Sequence, residues 1–433
     1  VARGGEYRSA VRGFCVRLKI GVIGAGVSGL TAAWRLARQH DVVLFEREPR
    51  LGGHAHTHTV TVGGRSVPVD TGFMVFNERT YPNFVRVLDE LGVASRPSDM
   101  SFSVQCARCD VEYSSVGLRG LFARGRQAFT TPHLAMLADV LRFFRAGRAA
   151  LADGSAAPLT LGAFLDRHGF GDGLIRHFVL PMGGAIWSAS SRTMRDFPAA
   201  SYLRFLENHG LLAASGQPVW RTIVGGSRTY VQRIADALGT GVRVGTPATA
   251  VRRTAAGAVV ENAGADAVDV DAVVFATHAD EALALLADPS PQEVAALSPF
   301  RYSVNPTVLH ADGRHLPATP AARASWNVRM ADCRDEHLPV AVTYDLARLQ
   351  GLEGVGPMLC TLNGGVIDDP VYARMTYAHP ILDRPALDAQ QTVAALNGTR
   401  RTYFCGAHLR YGFHEDGVMS ALAVVERLEG RAS

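Results

Sequence analysis

The first apolar positions change period twice within thirty residues. Leu18-Lys19-Ile20-Gly21-Val22-Ile23 is a nearly continuous apolar run and predicts a short buried strand. Leu30, Ala33, Trp34 and Ala37 then recur at the i, i+3, i+4, i+7 spacing of one helix face. Asp41-Val42-Val43-Leu44-Phe45 is the next strand and ends in Glu46. Strand, helix and strand in that order predict a βαβ unit with a parallel sheet. Further along, a helix is expected over Tyr230 to Leu238, followed by Val242-Arg243-Val244 and Thr249-Ala250-Val251. Asp271 to Thr277 and Tyr403 to Ala407 read as strands, and Gly417 opens the last helix. Pro132 to Arg145 has helical apolar spacing with arginines at its far end. It reads as a domain helix with a core-facing stripe, or as an interfacial helix where a lipid enters.

Gly24-Ala25-Gly26-Val27-Ser28-Gly29 lies between the first strand and the helix. Gly24 allows the tight turn, Gly26 lets the backbone approach a pyrophosphate, and Gly29 lets helix and strand pack closely. The unpaired N–H groups of the helix start face the phosphates, Val27 and Ser28 among them. Glu46, at the end of the second strand, is placed to accept hydrogen bonds from the adenosine ribose, with Arg47 beside it. The bland alternative is a glycine-rich turn in an ordinary α/β protein.

The chain has 433 residues, 47% of them hydrophobic, enough for two or three domains. A net charge of +4 gives no support to nucleic-acid binding. Lys19 is the single lysine among 44 basic residues, so no other lysine is available for Schiff-base chemistry or for holding water. The six cysteines are scattered, which is not a secreted disulfide framework. Cys106 and Cys109 form a CxxC with no second Cys/His pair at matching spacing. They read as two free thiols on a surface hairpin, and no metal is expected. Residues 1–17 have no apolar core of a signal peptide and are expected to form a flexible extension. No membrane-spanning run is present, and a cytoplasmic location follows by default.

Just past Glu46 comes Arg50-Leu51-Gly52-Gly53-His54-Ala55-His56-Thr57. This resembles the R-x-G-G-R-x-x-S/T signature of amine oxidases, protoporphyrinogen oxidases and phytoene desaturases. His54 stands where those families have a second arginine. The resemblance implies FAD rather than NAD, with Gly52 and Gly53 passing beneath it. It also implies nucleotide contacts near Val251, a second close pass at Ala276, and a third around Gly406 and Ala407. The final helix, with Gly417, Val418 and Ser420, would face the flavin pyrimidine edge and stabilise negative charge there. His408, Glu415 and Asp416 are candidates for the ribityl contact that an acid makes in those families.

The expected fold is α/β: a Rossmann-like FAD-binding domain, discontinuous in sequence, with a second α+β substrate domain. Residues 18–100, 216–300 and 386–433 are assigned to the first, and 101–215 and 301–385 to the second. Two longer strings, Asp70-Thr71-Gly72-Phe73-Met74-Val75-Phe76-Asn77-Glu78-Arg79 and Gly412-Phe413-His414-Glu415-Asp416-Gly417, are similar to a bacterial group of flavin oxidoreductases. That group is associated with cyclopropane-type fatty-acid methyltransferases. The similarity implies an apolar, acyl-lipid substrate, with peripheral contact at the inner membrane face. It also implies that Asp70, Thr71, Gly72 and Phe73 line the flavin and that Asn77 faces the substrate. His54, His56 and His58 form an H-x-H-x-H whose rings share one face of an extended strand. They are expected beside the flavin, with His56 as first choice for proton transfer and His414 with Glu415 as second. Trp187 and Trp326 either wall a substrate pocket or pack in a core. The electron acceptor is open, and amine oxidation and a non-catalytic FAD-binding partner remain as other readings.

Overall fold

The computed structural model describes residues 17–125, 129–368 and 370–430. The expected flexible extension therefore lies outside the described residues, apart from Arg17, which pairs with Asp41 at 2.7 Å.

The βαβ unit forms as strand Lys19–Ile23, helix Val27–Leu36 and strand Asp41–Phe45. These strands sit inside a five-stranded sheet ordered Val242–Arg243, Asp41–Phe45, Lys19–Ile23, Ala272–Phe275 and Thr402–Phe404. Every pairing in it is parallel. A parallel sheet needs cover on both faces, because its crossovers return over them. On one face Ile20, Val22 and Leu44 pack with Leu30, Tyr230, Ile234 and Val424 of helices Val27–Leu36, Arg228–Leu238 and His414–Leu428. On the other, Ile23, Phe45 and Val273 pack with Val251, Val260 and Val268 of a three-stranded antiparallel sheet. The alternation of Val22 and Ile23 between the two cores is the strand period at work.

A second, seven-stranded sheet runs Val371–Ile381, Arg301–His310, Leu359–Leu362, Ala341–Asp345, Trp326–Met330, Phe102–Cys106 and Val111–Ser114. Only the pair Trp326–Met330 with Phe102–Cys106 is parallel. Helices Thr131–Ala152, Leu161–Arg167, Leu180–Trp187 and Ala199–Asn208 bury Phe143, Phe164, Trp187, Tyr202 and Leu206 in a core of their own.

Hairpin Thr57–Val62/Arg65–Asp70 connects the two halves. The buried Asp70 carboxylate accepts from the Thr57 hydroxyl at 2.5 Å and from Ser227 N–H at 2.8 Å, just before helix Arg228–Leu238. Its backbone exchanges two hydrogen bonds with the Gln350 side chain, at 3.0 and 2.7 Å.

Three element boundaries differ from expectation. The last helix begins at His414 rather than Gly417, because the Asp416 carboxylate accepts the Phe413 N–H at 2.9 Å and closes the first turn early. The final strand stops at Phe404, and Ala407–Leu409 form a 3-10 turn instead. The helix over 132–145 spans Thr131–Ala152 and buries Met136, Phe143, Phe144, Gly147 and Ala150, the core-facing stripe.

Candidate dinucleotide site and active centre

Four chain segments meet at the glycine loop with almost no side chain between them. Gly24 has φ +96°, and a Cβ there would lie 2.9 Å from Ala276 O. A Cβ on Gly29 would lie 1.8 Å from Gly24 O, so helix and turn touch backbone to backbone. Gly52 N–H donates to Ala25 O at 2.8 Å, and a Cβ on Gly53 would come within 3.1 Å of Gly26 Cα. On the last helix, a Cβ on Gly417 would meet Val27 Cγ1 at 2.7 Å and Ser28 Oγ at 2.8 Å. Val418 behind it is fully buried. Ser420 Oγ accepts the Gly406 N–H and donates to Gly417 O, both at 2.9 Å, fastening the last strand to that helix.

Gly26 is the exception, since a Cβ there would meet no protein atom within 4 Å. The first helical bond is Leu30 N–H to Gly26 O, so the N–H groups of Val27, Ser28 and Gly29 precede it and open toward this space. Space without side chains, lined by helix N-terminal donors, fits a pyrophosphate. Glu46 accepts Ala25 N–H at 2.8 Å through one oxygen and Glu48 N–H at 2.9 Å through the other. Each oxygen retains a lone pair for a ribose hydroxyl.

Two residues expected at the nucleotide are engaged by protein partners. Arg47 turns outward and pairs with Glu281 at 2.7 Å, because the chain leaves the sheet there. Val251 is fully buried, and its carbonyl is taken by Ala287 N–H at 3.1 Å. The stretch against Glu46 is Arg243 to Thr246, with Thr246 N–H donating to Glu46 O at 2.8 Å.

Beyond Gly53 the chain enters a histidine-rich centre. Phe73 N–H donates to His54 O at 2.7 Å and Thr71 N–H to His56 O at 3.0 Å; a Cβ on Gly72 would sit 2.2 Å from His54 O. The two expected flavin-lining segments therefore run side by side. Tyr377 Oη lies 2.7 Å from Thr71 Oγ1 and 3.0 Å from His56 Nδ1, giving a hydroxyl–hydroxyl–imidazole chain. The His56 and His58 rings are in contact at 4.1 Å, as a shared face requires, whereas His54 turns to Tyr377 and His379, each 5.1 Å away. His54 Nε2 is buried with no partner among the described residues. His278 stacks on Tyr302 at 4.0 Å, and buried His408 packs against Phe300.

Burial keeps these imidazoles neutral. It takes His379 down to about 4 and His56, His408 and His414 down to about 3, with Arg50 adding to the effect on His56. His54 is held well below its ordinary value by burial and by His379. Burial raises the Asp70 carboxyl to about 6 and the Asp416 carboxyl to about 7.

The structure reassigns several expected site residues. Asp70, expected to line the flavin, gives its carboxylate oxygens to Thr57 and Ser227 and clamps those segments together. Glu415 accepts Asn83 N–H, Asn83 Nδ2–H and Phe84 N–H at 2.7–3.1 Å, so it holds the start of helix Pro82–Glu90. His414 stacks on Phe73 at 3.5 Å and meets Tyr230 Oη at 3.1 Å, a packing position. Asn77 is fully buried and accepts Thr80 N–H in a turn. Trp187 lies in the helical core, donating to Tyr411 O at 3.2 Å, and Trp326 packs edge-on to Tyr344 within the large sheet.

Tyr377, His379, His278 and Gln350 were not singled out from the sequence. Tyr377 and His379 are two apart on one strand and so share a face, the one signal that was available. The CxxC hairpin forms, but Cys106 is buried and the pair is not alone. His177 and Cys333 bring their ligand atoms to within 4.8 Å of both thiols. Partners supplied by other segments leave no mark in local spacing.

The family of flavin containing amine oxidoreductases matches residues 27–311. The chain belongs to this family. FAD is accordingly its cofactor, and the glycine junction fits it. Coproporphyrinogen III oxidase of Mycobacterium leprae is 28% identical over 303 residues, 64% of this chain and 63% of that protein, so the match spans less than two thirds of the relative. Among solved structures, the CLA-producing fatty acid isomerase from P. acnes superposes with a TM-score of 0.68 at 14% identity, covering 94% of this chain and 98% of that one. Cyclohexylamine oxidase from Brevibacterium oxydans gives 0.67 at 15%, covering 95% and 100%. At such identities these two likenesses establish the fold.

Two outcomes follow from this geometry. Gly26→Ala is expected to fold with an unchanged melting temperature but to bind FAD at least tenfold more weakly, since its methyl group enters the open phosphate space. Gly29→Ala is expected to lower the melting temperature and lose FAD together; equal behaviour of the two variants would contradict the assignment. The neutral histidines also make stability depend on pH. Their folded values lie below the unfolded ~6.5, so the stability they confer is present above that value and is lost as pH falls through it toward 4 and 3. Each loses roughly 1.4 kcal/mol per pH unit there, outweighing Asp70 and Asp416, which act in the opposite sense. Thermal melts should fall steadily from pH 7 to pH 5, and a flat profile would refute the neutral-histidine picture.

Proposed function

We propose that this protein is an FAD-dependent oxidoreductase that moves or introduces a double bond in an apolar acyl substrate. The observation that carries the reading is the uncharged character of the centre. His54, His56, His379, His408 and His414 are neutral, the tyrosine at its middle is Tyr377, and Lys19 opens the central parallel strand, where its N–H donates to the Asp271 carboxylate. A substrate whose reacting carbons carry no charge needs none from the protein there.

A cleft of about 330 Å³ leads to the start of the last helix, walled by Phe205, His209, Tyr411 and Phe413 and edged by Arg79 and Arg410. Aromatic walls suit an alkyl chain, and the arginines at the rim suit its carboxylate or phosphate head. Exposed Leu118, Phe129, Leu134 and Leu141 support the expected peripheral membrane contact. FAD, when bound, supplies the hydride acceptor. The N-terminal turn of helix His414–Leu428 offers its free N–H groups to negative charge at that end. His56, in line with Tyr377 and Thr71, is the one of the three catalytic candidates left with a hydrogen-bonded chain of its own. An imidazole neutral down to about 3 is a weak proton acceptor. A double-bond shift, in which the same hydride leaves and returns, therefore suits the centre better than a desaturation that must discard a proton.

Amine oxidation has one feature in its favour: Asp416 lies in the cleft wall and would hold an ammonium group. The readings separate in an anaerobic experiment on the FAD-loaded protein. Incubation with bacterial phospholipid and free unsaturated fatty acids should yield a displaced double bond by gas chromatography–mass spectrometry, or bleach the flavin. An amine panel should do neither. Bleaching by amines alone would overturn the proposal in favour of the oxidase, and no response to either class would favour a non-catalytic partner of a lipid-modifying methyltransferase.

A further inference from the structure

We propose that Cys106, Cys109, Cys333 and His177 hold one zinc ion in a closed structural site at the edge of the second sheet. Each offers one ligand atom, and the four atoms lie within 4.8 Å of one another. Cys109 Sγ and Cys333 Sγ are 3.5 Å apart. That is far beyond the ~2.0 Å of a disulfide. It is near the ~3.8 Å expected between two thiolates on tetrahedral zinc with ~2.3 Å bonds.

Three separate segments are shaped to bring these donors together. Cys106 ends strand Phe102–Cys106 and lies in parallel register with Met330. The CxxC turn then docks on the next strand's exit: Ala107 N–H donates to Met330 O at 3.0 Å and Arg108 N–H to Ala331 O at 3.1 Å. Arg108 pairs with Asp332 at 3.0 Å, beside Cys333. Asp110, at φ +53°, reverses the chain so that Cys109 faces back toward the pair. From below comes His177, on the π-helical turn Ile175–Val179, a distortion often found where a helix presents a functional side chain. Its carbonyl accepts the Tyr113 hydroxyl at 2.7 Å, which fixes that turn.

A second observation points to a ligand. His177 Nε2 is buried and has no hydrogen-bond partner among the described residues. An unpaired buried nitrogen beside three sulfurs costs stability unless something occupies the space. On binding, the zinc ion displaces a proton from each of the three thiols to solvent and takes the imidazole as it stands, leaving a site of net charge −1. Three sulfurs and one nitrogen in a tetrahedral set select zinc over calcium or magnesium. With four protein donors no position stays open, so the ion pins the hairpin, the loop at 331–333 and the π-turn together and takes no part in the flavin chemistry.

The test uses the FAD-loaded protein purified without added metal. Plasma mass spectrometry should find about one zinc per chain. Mercurial titration should release it into a colorimetric chelator, and cobalt substitution should give tetrahedral d–d bands at wavelengths beyond the flavin spectrum. Cys333→Ser and His177→Ala should lose zinc at least tenfold. If those buried variants fail to fold, the exposed Cys109→Ser should still fold and show the loss. Chelation should lower the melting temperature while FAD content stays the same, which separates this site from the flavin reading. Metal-free protein whose thiols titrate freely in the native state would overturn the proposal, as would a Cys109–Cys333 disulfide found by peptide mapping.

Discussion

The rest of the molecule depends on backbone meeting backbone at the glycine loop. Gly24, Gly29 and Gly417 each lie so close to a neighbouring segment that a methyl group would collide with Ala276, Gly24 or the Val27–Ser28 step, and one on Gly53 would crowd Gly26. Side chains normally hold segments about 10 Å apart. Removing them lets the first helix, the Gly52–Gly53 pass, the second close strand and the last helix converge on one line of space. Gly26 is spared such a contact, and the space above it is what the convergence creates. A cofactor lying there touches four distant parts of the chain, so its binding and the closure of the fold are one event in thermodynamic terms.

From that line the architecture determines the chemistry. The segments His54–Thr57 and Thr71–Phe73 pair side by side, next to strand Val371–Ile381, which supplies Tyr377 and His379. These groups come from the hairpin region and from the seven-stranded sheet, and the Asp70 backbone bonds to Gln350 tie the hairpin to the turn that follows strand Ala341–Asp345. Enclosing so many imidazoles between two layers has an electrostatic consequence. Charge on any one of them is penalised by burial and by its neighbours, and the centre stays neutral. Neutrality, rather than any single acid or base, is its chemical character.

Much of the first layer was legible because its signals are local. The strand at Lys19–Ile23, the glycine loop and Glu46 sit within one βαβ unit, where period and turn chemistry agree. The active centre was less legible. Glu415 and His414 looked like acid–base candidates because they adjoin a flavin-facing turn, yet their partners Asn83, Phe84, Tyr230 and Phe73 come from far along the chain and turn them into fasteners. Asp70 was displaced from its expected role by Ser227 in the same way. The cysteine cluster shows the limit most plainly. A CxxC can be read from spacing, but Cys333 is 224 residues from Cys109 and reaches it only through a parallel strand pair.

The central claim is that a dinucleotide lies along the glycine junction, anchored at its adenosine end by Glu46 and the N terminus of helix Val27–Leu36. Titration of the apoprotein with FAD and with FMN, followed by flavin fluorescence, tests it most directly. FMN carries the same reactive ring but lacks the adenylate half, so the account predicts that it binds at least a hundredfold more weakly than FAD. Equal affinity for the two would place the binding energy on the ring alone and contradict the account.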